Sequence, residues 1–158
     1  TVKLSQLFRY SINTQEANWS TVKEELSIVN VYLDIERVRF GNRISFAATA
    51  DSATENVAIP RFLLQPLVEN ALKHGLKNKS AGGELSIQIR DNGKTILVYI
   101  YDNGDSFPED MLAGYGLQST YDKLNLLYGT SWKMNFNNLP EKHILIEIPK
   151  HIANENQV

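Results

Sequence analysis

The sequence predicts an α+β domain built as a two-layer α/β sandwich, with a mixed, mostly antiparallel sheet carrying three helices on one face. Beyond residue 20, three segments place apolar residues at helical spacing and five place them at strand spacing. The alternation in 84–90 and 131–137 makes one sheet face apolar and leaves the other to water. A sheet with one wet face belongs to a sandwich and not to a doubly wound sheet, whose two faces are both covered.

Leu4, Leu7 and Phe8 in TVKLSQLFRY sit at helical spacing, but the stretch is too short to stand alone and reads as the end of an upstream helix. A polar linker, SINTQEAN, follows. Thr21 with Glu24 three residues on forms a capping-box pattern, and Val22, Leu26, Val29 and Leu33 make one stripe up to Gly41-Asn42, so residues 21–40 are expected to be a helix. Ile44, Phe46, Ala48 and Ala50 alternate as a strand over 43–50, before a polar turn. From Pro60, Leu64, Leu67, Val68, Ala71 and Leu72 line the inner side of a second helix, which Pro66 is expected to divide. Residues 84–90 and 95–101 form a hairpin about Asp91-Asn92-Gly93. Residues 102–114 have no periodicity; Leu117, Tyr121, Leu124 and Leu127 then mark a third helix ending at Gly129, and 131–137 and 142–148 close the chain as strands.

The 158 residues suffice for a core without metals or disulfides. With 42 % hydrophobic and 22 % charged residues the composition is that of a folded domain. Lys and Arg number 16 against 18 Asp and Glu, a net charge of -2 that offers no general attraction to nucleic acid or anionic lipid. The absence of Cys excludes thiolate nucleophiles and thiolate metal sites. No apolar run approaches the roughly 20 residues of a membrane span, so the piece is expected to be soluble.

Three clusters carry chemistry. Asn70, Lys73, His74 and Lys77 follow i, i+3, i+4, i+7 spacing opposite the apolar stripe of the second helix; taken alone, a solvated helix face with a Glu69–Lys73 pair is the plainer explanation. Asp102-Asn103-Gly104 ends an apolar strand. The same tripeptide at 91–93 is a hairpin turn, but at 102 it opens DSFPEDMLAG, a loop of lid length. Gly114-Tyr115-Gly116-Leu117 opens the last helix, where backbone amides and the helix dipole favour an anion; glycines in a loop are also simply common.

Together these segments resemble a known family. QPLVENALKHG (65–75), YDNGDSFPED (101–110) and GYGLQSTYDKL (114–124) resemble, in order, the N, G1 and G2 boxes of the GHKL (Bergerat-fold) ATP-binding group. Within it, EELSIVNVYLDIERVRFGNRI (24–44) is similar to the segment leading into the catalytic domain of sensor histidine kinases of the LytS/YehU type. The resemblance implies ATP and Mg²⁺ as ligands, with Asn70 coordinating the metal, Lys73 meeting phosphate charge and His74 flanking it. It implies Asp102 as acceptor for the adenine amino group, Gly104 as space for the base, and Gly114, Gly116 and Leu117 as the lid and helix start brought against the phosphates.

Some residues depart from the family pattern. Ser106 replaces the second Gly of the G1 box, and no Lys or Arg lies between Asp102 and Lys123. Lys142-His143 stands where many relatives carry Gly-Thr, and is expected to be a turn difference without consequence for the site. Pro66 stands where ATP-hydrolysing members carry a water-activating Glu, and Glu69 points about 100° away from Asn70 around an α-helix. His74, His143 and His151 lie outside any phosphoacceptor motif, so no catalytic residue is expected in this piece.

The resulting expectation is the ATP-binding catalytic domain of a two-component sensor histidine kinase, handing its γ-phosphoryl to a His on a separate upstream helical domain for relay to a response regulator. Residues 1–19 would end the dimerisation and phosphoacceptor helix with its linker, 20–150 would bind ATP, and 151–158 would be a tail. The parent is expected to be a membrane-anchored homodimer with this domain in the cytoplasm. Two alternatives stay open: a degenerate nucleotide-sensing or docking module without phosphotransfer, and a GHKL serine kinase or ATPase.

Overall fold

The computed structural model describes residues 3–4, 18–110 and 116–152. Most of the upstream helix and linker expected before residue 18, and the tail beyond 152, lie outside them.

The first long helix, α1 (Val22–Phe40), starts as its sequence dictates: the Thr21 hydroxyl accepts a hydrogen bond from Glu24 N–H at 3.1 Å. Glu24 and Glu25 in the first turn and Arg37 and Arg39 in the last complement the helix dipole. Gly41, at φ 58°, ends the helix. It buries Val22, Val29 and Leu33.

The main sheet has the order β2 (Ile44–Ala50), β4 (Gly83–Asn92), β5 (Thr95–Asp102), β7 (His143–Pro149), β6 (Lys133–Asn137); β2 and β4 run parallel and every other pair antiparallel. The ladder of β4 and β5 continues to Asn92 opposite Thr95, so the turn is Gly93-Lys94, one step beyond the expected position. Leu85, Ile87 and Ile89 on β4, Ile96, Val98 and Ile100 on β5, and Ile144, Ile146 and Ile148 on β7 all face the helices and are buried. The other face carries polar and aromatic side chains, with Tyr99 stacked on Tyr101 at 5.8 Å. The two-layer sandwich is therefore the fold found.

A second, three-stranded sheet was not legible. Its order is β1 (Trp19–Thr21), β3 (Val57–Pro60), β8 (His151–Ile152), all antiparallel. Residues 57–60 belong to this strand and not to a polar turn or a helix start, because all four are buried and show no alternation to read.

The second helix consequently begins later, as α2 (Leu64–Asn70). Pro66 does not divide it. The proline sits in the first turn, where its missing N–H has no intrahelical partner to lose. The interruption comes at the other end: Ala71–Gly75 form a wide turn in which Leu76 N–H bonds Ala71 C=O at 2.8 Å, an i to i+5 closure. The last helix, α3 (Gln118–Tyr128), stops at Gly129 with φ 62° as expected.

Candidate functional site

Strand parity delivers the most unusual side chain. Asp102 continues the inward series Ile96, Val98, Ile100 on β5, so the two-residue period points a carboxylate toward the helix layer at the strand's end. Its Oδ1 accepts the Gly104 N–H at 3.0 Å and a hydrogen bond from Lys142 Nζ at 2.8 Å. A buried carboxylate needs such partners.

Two glycines set the carboxylate's place. Asp105 N–H bonds Gly75 C=O at 2.9 Å, stitching the loop after β5 to the end of the wide turn. A Cβ on Gly75 would stand 2.5 Å from Asp102 Oδ1. Only bare backbone lets the two segments approach so closely. Asn103 locks the other side: its Oδ1 accepts Glu84 N–H at 2.8 Å and its Nδ2 donates to Gly82 C=O at 2.9 Å.

Asn70, the last residue of α2, reaches the same place. Asn70, Ala71, Gly75, Asp102, Leu117 and Ile144 border one cavity, together with Phe107 and Lys142. Asn70 Nδ2 is buried without a hydrogen-bond partner. A buried amide end that bonds nothing is costly. Rotating the amide by a half turn would present its oxygen instead. The cavity volume is about 10 Å³, room for no more than one water, and the Lys142 side chain forms part of its wall.

The other expected residues are distributed differently. Gly104 touches Gly75 and Asp102 from the outer side, in an open groove of about 560 Å³ that Ser106, Glu84, Glu141 and Lys142 also line. Leu117 is fully buried at the cavity, just before α3, and Gly116 precedes it with φ 65°. Gly114 lies outside the described residues. Lys73 and Lys77 line a separate groove of about 550 Å³ with Arg39, Arg43, Glu36 and Glu69. Asn70 and Lys73 thus do not share a cavity, since the wide turn at 71–75 breaks the α-helical phase on which their common face was inferred. His74 has its pKa held below the usual imidazole value, first by partial burial and then by the charges of Lys73 and Lys77. Glu69 accepts from Gln65 Nε2 at 3.2 Å and faces the groove of Lys73, away from Asp102.

One site residue escaped the sequence reading. Lys142-His143 is not an inconsequential turn difference: the ladder of β5 and β7 pairs Tyr101 with His143, and one step further Lys142 meets Asp102. The parity of Ile144, Ile146 and Ile148 already turned position 142 inward.

The family model described as histidine kinase matches residues 1–44. The chain is 29 % identical over 147 residues, 85 % of its length, to the sensor protein LytS of Staphylococcus epidermidis. It is 29 % identical over 149 residues to a protein named sensor histidine kinase/phosphatase LytS from Staphylococcus aureus, again across 85 % of the chain. The chain is similar to LytS sensor proteins. It spans about a quarter of the length of these relatives, 25 % and 26 % respectively. Among solved structures it resembles the catalytic domain of histidine kinase ThkA, with TM-score 0.62, 19 % identity, and coverage of 84 % of this chain and 94 % of that one. ThkA in complex with the response regulator protein TrrA matches at TM-score 0.64 and 18 % identity, over 95 % of this chain and 48 % of that one. The fold is that of histidine kinase catalytic domains, and the sensor-kinase resemblance carried by the three boxes and the leader is borne out.

Proposed function

We propose that this chain is the ATP-binding catalytic domain of a sensor histidine kinase. It binds Mg-ATP and donates the γ-phosphoryl group to a histidine on a separate helical domain, from which a response regulator takes it. The observation that carries the reading is the convergence of Asn70 and Asp102 on one cavity between the end of α2 and the end of β5. The LytS names and the ThkA complex with TrrA support the signalling context.

Each residue has a definite task in this reading. Asp102, fixed by Gly104 N–H, accepts a hydrogen bond from the exocyclic amine of adenine. Gly75 supplies bare backbone beside Asp102, and Gly104 lets the loop after β5 pack directly on Gly75. Asn70 would hold Mg²⁺ through its amide oxygen, since that ion is often bound by only one or two protein ligands. When bound, the ion neutralises phosphate charge. The start of α3 behind Gly116 and Leu117 directs its dipole at the phosphates. The domain's contribution is positioning and charge, and the nucleophile comes from outside. In the transfer the bond from the γ-phosphorus to its bridging oxygen breaks, a bond to the imidazole nitrogen forms, and ADP leaves.

ATP hydrolysis is a poorer fit. Pro66 supplies no base, and Glu69 faces the groove of Lys73. A nucleotide-sensing module without transfer is the second reading, favoured by Lys142 holding the Asp102 carboxylate and by the small volume of the cavity. Reconstitution with an upstream phosphoacceptor helical fragment separates the two. Acid-labile phosphate on that fragment, dependent on ATP and Mg²⁺, is the expected result; nucleotide binding without any transfer would favour the sensing module.

A further inference from the structure

Lys142 holds an uncommon position for a lysine. Its side chain is 9 % exposed and that of Asp102 only 4 %, and its Nζ lies 2.8 Å from Asp102 Oδ1. The same ammonium sits 4.5 Å from the centroid of the Phe107 ring, within reach of a cation–π attraction. A Cβ on Gly75 would meet it at 2.9 Å, so the ammonium stands beside Gly75 and Asp102 at the wall of the cavity that Asn70 and Leu117 also border. This is the space and the carboxylate that the proposed function gives to a purine and its amine.

We propose that Lys142 is a resident occupant of the purine subsite, an affinity-determining residue whose ammonium stands in for the base amine and must swing out before a nucleotide can bind. The inference rests on the reading of Asp102 given under the proposed function. Base and lysine compete for the same carboxylate and the same room. Asp102 Oδ1 accepts hydrogen bonds from Lys142 and Gly104, and the free volume left beside it is about 10 Å³, too little for a purine. The exchange is one donor for another, so the buried carboxylate keeps a partner throughout.

The fold also provides somewhere for the lysine to go. Lys142 borders the outer groove as well as the cavity, and that groove presents the carboxylates of Glu84 and Glu141. The loop itself is held: Asn138 Oδ1 accepts Phe107 N–H at 2.8 Å and Asn138 Nδ2 donates to Phe107 C=O at 3.2 Å. A flexible four-carbon stem suits an exchange made by the side chain.

Two measurements on the 158-residue chain test this. Calorimetric titration with Mg-ADP compares wild type, Lys142→Met and Lys142→Arg. Lys142→Met removes the competitor and leaves Asp102 without it, so binding is expected to tighten about tenfold or more, while Lys142→Arg binds no better than wild type. Acylation of lysines in the wild type, read by mass spectrometry with and without saturating Mg-ADP, is expected to show Lys142 several-fold more reactive in the bound form. The acylation result stands alone if Lys142→Met does not fold. Equal affinity of wild type and Lys142→Met, or Lys142 acylation unchanged or lowered by bound Mg-ADP, overturns the inference and leaves the nucleotide site in place. Absence of Mg-ADP binding in wild type and variants alike overturns both.

Discussion

A Cβ placed on Gly104 would lie 1.8 Å from the carbonyl oxygen of Gly75. The end of the wide turn after α2 and the loop after β5 are therefore in backbone contact, and that contact brings Asn70 and Asp102 to one hollow.

Gly104→Ala forces two backbones apart, since neither the Gly75 carbonyl nor its carbonyl carbon at 2.2 Å can turn aside. A destabilisation of about 2 kcal/mol or more is expected in urea unfolding. Gly75→Ala meets side chains, Asp102 Oδ1 at 2.5 Å and Lys142 Nζ at 2.9 Å, and so displaces the carboxylate with a smaller loss of stability. Equal and negligible effects of the two substitutions would contradict the contact.

The launch of α2 depends on a buried acid. Glu25, fully buried on α1, accepts Phe62 N–H at 2.5 Å, and Phe62 has φ 57°, a conformation rarely adopted by a bulky residue. Lys123 Nζ donates to the neighbouring Arg61 C=O at 2.6 Å, and burial holds the lysine pKa below its usual value. Glu25→Ala is expected to cost roughly 2–4 kcal/mol in denaturant unfolding, and Glu25→Gln, which keeps an acceptor oxygen, clearly less.

His74 reports on the charge of the wide turn. Its pKa lies below 6.5 in the folded chain through partial burial and the charges of Lys73 and Lys77. As pH falls below 6.5 the unfolded chain takes up the proton before the folded one does, so stability declines through that window; above 6.5 the residue contributes no slope. An NMR titration of the imidazole is expected to give a value below 6.5 that rises in Lys73→Gln. No change in that variant would remove Lys73 as a cause.

The main sheet was legible because β4, β5 and β7 each alternate cleanly, and α1 because Thr21 and Gly41 mark its ends. The second sheet was not, since β1 and β8 have three and two residues and β3 is buried throughout without alternation. Asn70 and Asp102 were readable from their boxes, but the placement of Lys73 was not: the i to i+5 bond between Ala71 and Leu76 leaves no mark in apolar spacing. Lys142 is separated from Asp102 by 40 residues. Only the register of β5 and β7 brings the two together, although the inward parity of Ile144 and Ile146 was a signal within reach.

The central claim is that Asn70 and Asp102 serve one nucleotide, and calorimetric titration of Mg-ADP into wild type, Asp102→Ala and Asn70→Ala tests it most directly. The account predicts Mg²⁺-dependent binding to wild type, a loss of roughly 10- to 100-fold in Asp102→Ala, and binding to Asn70→Ala that no longer responds to Mg²⁺. Undiminished affinity in Asp102→Ala together with an unchanged Mg²⁺ response in Asn70→Ala would contradict it.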